Sequence, residues 1–152
     1  MADGIEISIK GLDEIEKRLQ ALPEKLRRKH LRTALKDPLE MVRQQAVAQC
    51  PQRKPGRGWQ AFVSEGDEHL RDNITSKISV GKTSAWGRVG VDYTKVRHGH
   101  LVEFGTKPHK IGKMQHPGAR AHPFMRPAFD KTGSKVLDDI LDYLAKAVER
   151  EA

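Results

Sequence analysis

The sequence predicts an α+β domain in which a small antiparallel sheet packs with N-terminal helices and a C-terminal amphipathic helix. Apolar residues at helical spacing dominate both ends of the chain, and two short strand-like runs lie in its middle. The length of 152 residues suits one domain. We therefore predict a single domain over residues 1–152, with extended loops near 51–68 and 105–123.

The N-terminal third of the chain predicts a strand followed by helices. Residues 5–9 alternate isoleucine with polar residues, which indicates a half-buried strand. Residues 12–22 carry apolar side chains at helical spacing, with acidic residues in the first turn, where the helix dipole favours them. A second apolar stripe runs through residues 23–50. Asp37 and Pro38 resemble a helix N-cap and first position, so this stretch is either two helices or one helix kinked at Pro38.

The rest of the chain is divided by glycine and proline. We expect a basic loop at 51–58, a helical turn near 68–74, strands at 77–80 and 86–91 joined as a hairpin, a short apolar element at 101–104 and an amphipathic helix over 136–148. Residues 59–66 fit no pattern. Residues 105–123 contain three Gly, three Pro and three His and predict a long loop. A loop of this length in a compact domain is either functional or disordered.

The net charge of +8 is concentrated in two blocks. Residues 23–66 and residues 93–127 each carry a net charge of +6, while the remaining segments are neutral or slightly acidic. No apolar run is long enough to cross a membrane, and we expect no membrane partner. The N-terminus lacks the pattern of a signal peptide. The single cysteine, Cys50, excludes an internal disulfide, and we interpret it as a small buried apolar group.

The residue patterns do not indicate a catalytic site or a metal site. Five of the seven histidines lie within residues 98–122, but their spacing fits neither a helical His pair nor a zinc finger. Gly81-Lys82-Thr83 resembles the end of a phosphate-binding loop, yet Ser76 occupies the position where the earlier glycine is required. No serine lies in a Gly-x-Ser-x-Gly elbow. We predict that the protein is not an enzyme and has no metal and no cofactor.

The basic blocks leave two interpretations open. The first is contact with DNA phosphates, which does not depend on the base sequence. The second is a solvated surface that pairs with acidic neighbours in an assembly. The candidate contacts are Lys25, Arg27, Arg28, Lys29 and Arg32 on a helix, Arg53, Lys54 and Arg57 on a loop, and Lys107, Lys110, Lys113 and Arg120 on the long loop. Aromatic residues make up only 5% of the chain, which disfavours stacking on single-stranded DNA.

Two motifs in the C-terminal half identify a family resemblance. They are Val102-Glu103-Phe104-Gly105-Thr106 and Pro123-Phe124-Met125-Arg126-Pro127-Ala128-Phe129. In this order, and just before a terminal amphipathic helix, they resemble the tail-component family of long-tailed bacteriophages, the neck or tail-completion proteins. Residues 7–15 and the strand 88–91 are also similar to that family, so the resemblance covers nearly the whole chain. The loops near 51–68 and 105–123 are longer than the family pattern.

The resemblance implies a structural virion protein with no catalytic role, made in the host cytoplasm and located in the neck or tail of the particle. Its expected partners are copies of itself in a hexameric or dodecameric ring, the head-connector protein, and tail-terminator or tail-tube proteins. We expect this ring to join the head to the tail. The alternative is a basic module that contacts genomic DNA at the exit channel.

Elementary chemistry assigns structural roles to the motif residues. Gly105 permits a left-handed or tight turn, and Thr106 satisfies loop amides. Pro123 and Pro127 restrict the backbone ahead of the last helix. Glu103 is expected to pair with Arg126. The phenylalanines of the motifs, Phe104, Phe124 and Phe129, are expected to anchor the core around the turn.

Overall fold

The computed structural model describes residues 12–51, 70–82 and 84–151. Its helices are α1 (Leu12–Ala21), α2 (Glu24–Gln49), α3 (Gly99–Phe104) and α4 (Met125–Glu151). Its strands are β1 (Ile74–Val80), β2 (Ala85–Val91), β3 (His109–Ile111) and β4 (Met114–His116), and a 3-10 turn spans Leu70–Asn73. The α+β class is therefore confirmed. The strand expected at 5–9 and nearly all of the loop expected near 51–68 lie outside the described residues.

The two long helices α2 and α4 pack along each other, and α2 also supports the β1–β2 hairpin. Helix α2 runs without a break through Pro38, so the two-helix alternative with Asp37 as an N-cap is wrong. The buried residues of α2 recur every four positions, and they are His30, Ala34, Pro38, Val42 and Ala46. Pro38 lacks an N–H and cannot bond to the Ala34 carbonyl. Its burial in this packed face compensates for the missing bond.

Strands β1 and β2 form an antiparallel hairpin whose register runs from Ile74 opposite Val91 to Val80 opposite Ala85. The predicted hairpin is confirmed, although β1 begins earlier than the sequence pattern indicated. Ile74 and Val80 are buried toward the helices, while the other face is half-buried to exposed, with Lys77 exposed on β1. Among the described residues, no helix is both long enough and apolar enough to span a membrane.

The core consists of two neighbouring clusters. One is centred on Ile74 and Phe124, and its remaining buried members are Ala46, Cys50, Leu70, Val96 and Ala128. The other joins α1, α2 and α4 through Leu19, Ala34, Leu144 and Val148. Burial raises the pKa of the Cys50 thiol, in agreement with its interpretation as an apolar group.

The prediction of three phenylalanine anchors is correct only for Phe124, which is fully buried. Phe104 is 79% exposed and Phe129 is 62% exposed, so both assignments to the core are wrong. The reason lies in the helix geometry, because each of these rings is next in sequence to a buried residue. Phe104 follows Glu103 on α3, and Phe129 follows Ala128 on α4. Adjacent helical residues face different directions, so burial of one leaves the other in solvent.

Candidate functional site

The two family motifs meet where α3 ends and α4 begins. The Glu103 carboxylate accepts hydrogen bonds from the backbone N–H groups of Phe124 (2.7 Å), Met125 (3.0 Å) and Arg126 (3.1 Å). The first amides of a helix have no partner within the helix, so Glu103 caps α4 from another element. The expected pairing of Glu103 with the Arg126 side chain is corrected by this geometry. The donor on Arg126 is its main-chain amide, while its exposed side chain forms no ion pair with Glu103 and acts on it through its charge alone.

This junction stabilises a buried negative charge. Desolvation raises the pKa of Glu103, but the bonds from the Phe124, Met125 and Arg126 amides and the charge of Arg126 together outweigh it, so the net pKa is below the ordinary value. The dipole of α4 also favours an anion at this end of the helix. Glu103 is therefore ionised at neutral pH, and it ties α3 to α4. This cap explains why α4 begins at Met125, well before the helix predicted over 136–148.

Two glycines close the turn that follows α3. Gly105 has a φ of 70°, and a Cβ there would lie 2.6 Å from the Ala119 carbonyl oxygen. Gly118 has a φ of 85°, and a Cβ there would lie 2.4 Å from the Thr106 carbonyl oxygen. Both positions require a positive φ and a close approach of two backbones, which only glycine permits without strain. The turn predicted at Gly105 is confirmed, whereas the sequence analysis missed Gly118.

Backbone bonds between Thr106 and Ala119, which follow Gly105 and Gly118 in the sequence, close the base of the segment that lies between them. The N–H of Thr106 donates to the Ala119 carbonyl at 2.8 Å, and the N–H of Ala119 donates to the Thr106 carbonyl at 3.0 Å. Thr106 therefore serves the loop through its main chain. The half-buried Val102 contributes in the same way, since its carbonyl accepts a bond from the His122 N–H at 2.8 Å. Pro123 is exposed just before the buried Phe124, and Pro127 lies in the first turn of α4.

The enclosed segment, Thr106–Ala119, is a β-hairpin that we call the arm. The loop predicted over 105–123 is thus partly ordered as β3 and β4, with Ile111 opposite Met114. Gly112 has a φ of 60° at the first position of the two-residue turn, where hairpins favour glycine. The Gly-Lys pair between two apolar residues is a signal that the sequence analysis overlooked. Side chains alternate along a strand, so the arm has two distinct faces.

One face of the arm carries Ile111 and Met114 together with a pair of histidines. Ile111 is 52% exposed and Met114 is 72% exposed, which is unusual for side chains of this size. The rings of His109 and His116 lie beside them, with centroids 4.9 Å apart. The described parts of the chain contain no group of three side chains suited to holding a metal ion. Lys110, opposite Gln115, lies on the other face.

The cations proposed for the long loop are brought together by the arm. Lys107, Lys110 and Lys113 lie on it, and Arg120 follows its base. All four side chains are exposed, and none makes an ion pair with a described residue. No acidic residue occurs in residues 104–127. The arm therefore presents positive charge that the described parts of the same chain leave unpaired.

Two of the helix cations have a structural role that the sequence did not reveal. Arg27 donates to the Lys82 carbonyl at 2.9 Å, and Arg28 donates to the Val80 carbonyl at 3.1 Å. These bonds hold the end of the β1–β2 hairpin against α2. Lys25, Lys29 and Arg32 remain exposed on the same helix. The loop cations Arg53, Lys54 and Arg57 lie outside the described residues.

A comparison of the sequence with family models supports the resemblance that the motifs indicated. Residues 13–105 match the family model described as "Bacteriophage HK97-gp10, putative tail-component". This match covers more than half of the chain, and the chain belongs to this HK97 gp10-like family of bacteriophage structural tail proteins. The matched region includes Glu103 and ends at Gly105, while the arm and α4 follow it. No curated protein and no solved structure matches the chain.

Proposed function

We propose that the protein is a ring subunit of the phage neck, which joins the head connector to the tail and completes the tail without catalysing a reaction. The observation that carries this proposal is the amount of large apolar surface that one copy leaves in water. The exposed side chains are Trp86, Tyr93, Leu101, Phe104, Ile111, Met114, Phe129 and Leu137. In our proposal these side chains are covered where copies of the chain contact one another. A closed ring covers such surface on every copy, because each subunit contacts two neighbours.

The motif junction supports this proposal by giving the arm a rigid base. Glu103 fixes α3 to α4, and the Gly105–Gly118 turn sets the direction in which the arm leaves the domain. A rigid projection loses little conformational entropy when it docks, which favours assembly. In our proposal the partners are copies of this chain, as a hexamer or dodecamer, with the head-connector protein and the tail-terminator or tail-tube protein above and below.

The test combines assembly in solution with assembly of particles. Light scattering after size exclusion and electron microscopy of the purified protein are expected to show rings, either alone or after addition of the head connector. Phage that lack the protein should accumulate separate heads and tails, and the purified protein should join them. A protein that stays monomeric under both conditions, together with normal joining in its absence, would contradict the proposal.

A second candidate function is contact with genomic DNA at the exit channel. The observation that favours it is the set of exposed cations at Lys107, Lys110, Lys113 and Arg120, with no acidic residue between Phe104 and Pro127. Duplex DNA binding should then weaken steeply as salt rises, with a logarithmic slope of about −0.9 per phosphate contacted. Replacing the three lysines of the arm with alanine should reduce this slope. Absence of binding at low salt excludes this function.

A further inference from the structure

The apolar face of the arm has a complementary surface on α4, and one copy of the chain does not bring the two together. We propose that the arm of one copy docks on the N-terminal half of α4 of the next copy. This inference rests on the proposed ring and names the contact that would build it. The occupant of each surface is thus a second copy of this chain.

The docking element is the cross-strand pair of Ile111 and Met114. These side chains lie side by side near the tip of the arm, and both are more than half exposed. Lys113 occupies the turn next to Met114 and is also exposed. The tip therefore combines a small apolar surface with adjacent positive charge. The base of the arm is closed by the Thr106–Ala119 backbone bonds.

The receiving surface is a stripe on α4 that we define by Phe129, Gly133 and Leu137. Residues four apart lie on the same side of a helix. The ring of Phe129 lies next to Gly133, where a Cβ would stand 3.6 Å from its Cε1 atom. Phe129 and Leu137 are thus the exposed apolar side chains of the stripe, and Gly133 between them lets the Phe129 ring lie close to the helix. Asp130 and Asp138 directly follow Phe129 and Leu137, so both lie along the same side of the stripe.

Charge and exposure together indicate that a second copy covers the stripe. Asp130 and Asp138 are exposed, and neither makes an ion pair with a described residue. Their charge is opposite to that of Lys113 on the arm. Within one chain, Met114 and Phe129 both remain largely exposed, so the arm does not cover its own stripe. A contact between two different patches on identical subunits is heterologous, and it closes into a ring when the rotation permits.

The first experiment compares two variants that add the same charge to neighbouring residues of β4. Met114→Glu places a carboxylate on the apolar face, opposite the two aspartates, whereas Gln115→Glu places it on the other face. Both positions are exposed, and thermal melts will verify that both variants fold. Sedimentation of the purified full chain should show self-association weakened by about tenfold or more for Met114→Glu and nearly unchanged for Gln115→Glu.

The second experiment mixes two variants, each of which has lost one of the two proposed contact surfaces. Leu137→Glu damages the stripe and leaves the arm intact, while Met114→Glu does the reverse. Each variant alone should fail to form rings, but the mixture should give a one-to-one pair, because one intact arm meets one intact stripe. Native mass spectrometry resolves this pair from the single copies.

The remaining outcomes separate this inference from the proposed function. The docking contact is contradicted if Met114→Glu forms normal rings, or if the two β4 substitutions weaken self-association equally. Either result is compatible with the proposed ring. Equal loss of duplex DNA binding in both β4 variants, with assembly intact, would assign the arm to DNA instead. A wild-type chain that forms no oligomer, with or without the head connector, overturns both the ring and the contact.

Discussion

The substitution Glu103→Gln tests the capped junction directly. Glutamine keeps the size of the side chain, and its one amide oxygen can replace Oε2, which accepts from Phe124 and Met125. Its NH₂ group then replaces Oε1, so the N–H of Arg126 faces another donor. Two charge-assisted bonds become neutral ones, at about 1 kcal/mol each, and the third bond is lost. Since the lost bond contributes about 1.5–3 kcal/mol more, we expect the free energy of unfolding to fall by about 3–5 kcal/mol.

For a chain of this length, that loss corresponds to a decrease in Tm of about 6–20 °C. Circular dichroism melts and urea titrations measure it, and Glu14→Gln is the matched control. Glu14 carries the same charge on an exposed surface, and among the described residues its ion-pair partner is Arg18, so its replacement should change stability by less than about 1 kcal/mol. A Tm of Glu103→Gln equal to that of the control would refute the cap as a stabilising contact.

The same variant has a characteristic pH dependence. Because the pKa of Glu103 is lower in the folded protein, the unfolded chain binds this proton first as the pH falls. The stabilisation is complete above the unfolded pKa of about 4.3 and is lost as the pH falls through the lower folded value. Glu103→Gln should therefore lose stability less steeply than the wild type below about pH 4.3. Parallel pH profiles for the two proteins would contradict the depressed pKa.

Three further predictions concern the glycine turn, the apolar core and the buried cysteine. Gly105→Ala should destabilise the protein by more than Gly112→Ala in urea titrations. Both residues have a positive φ, but only a Cβ at Gly105 would meet backbone atoms. Equal effects would show that the close approach of the two backbones at Gly105 does not matter for stability. Phe124→Ala should lower the free energy of unfolding of the isolated chain by about 3–5 kcal/mol, and Phe104→Ala by less than about 1 kcal/mol. The reverse order in thermal melts would show that Phe124 is not a core residue. The Cys50 thiol should react slowly with a thiol reagent in the folded protein and rapidly in urea, because burial raises its pKa; fast labelling of the native state would show that the site is open.

The elements of secondary structure that depend on local sequence patterns were predicted well. The spacing of apolar residues in α1 and α2 locates both helices, and the turn residues between β1 and β2 indicate their hairpin. The motif around Glu103 identifies the family, which the match over residues 13–105 confirms. These features depend on neighbours within a few positions of the chain, which is the information that periodicity and turn chemistry carry.

The sequence by itself thus determined the fold class, the family and the importance of the Glu103 motif. Tertiary structure decided what that motif does, because its bonds join residues about twenty positions apart, beyond the reach of any local pattern. It also decided that Phe104 and Phe129 face solvent, since the exposed side of a helix depends on what packs against the other side. Finally, it showed that the long loop predicted over 105–123 contains a hairpin arm with two different faces. The register of a hairpin, rather than its composition, separates Met114 from Gln115.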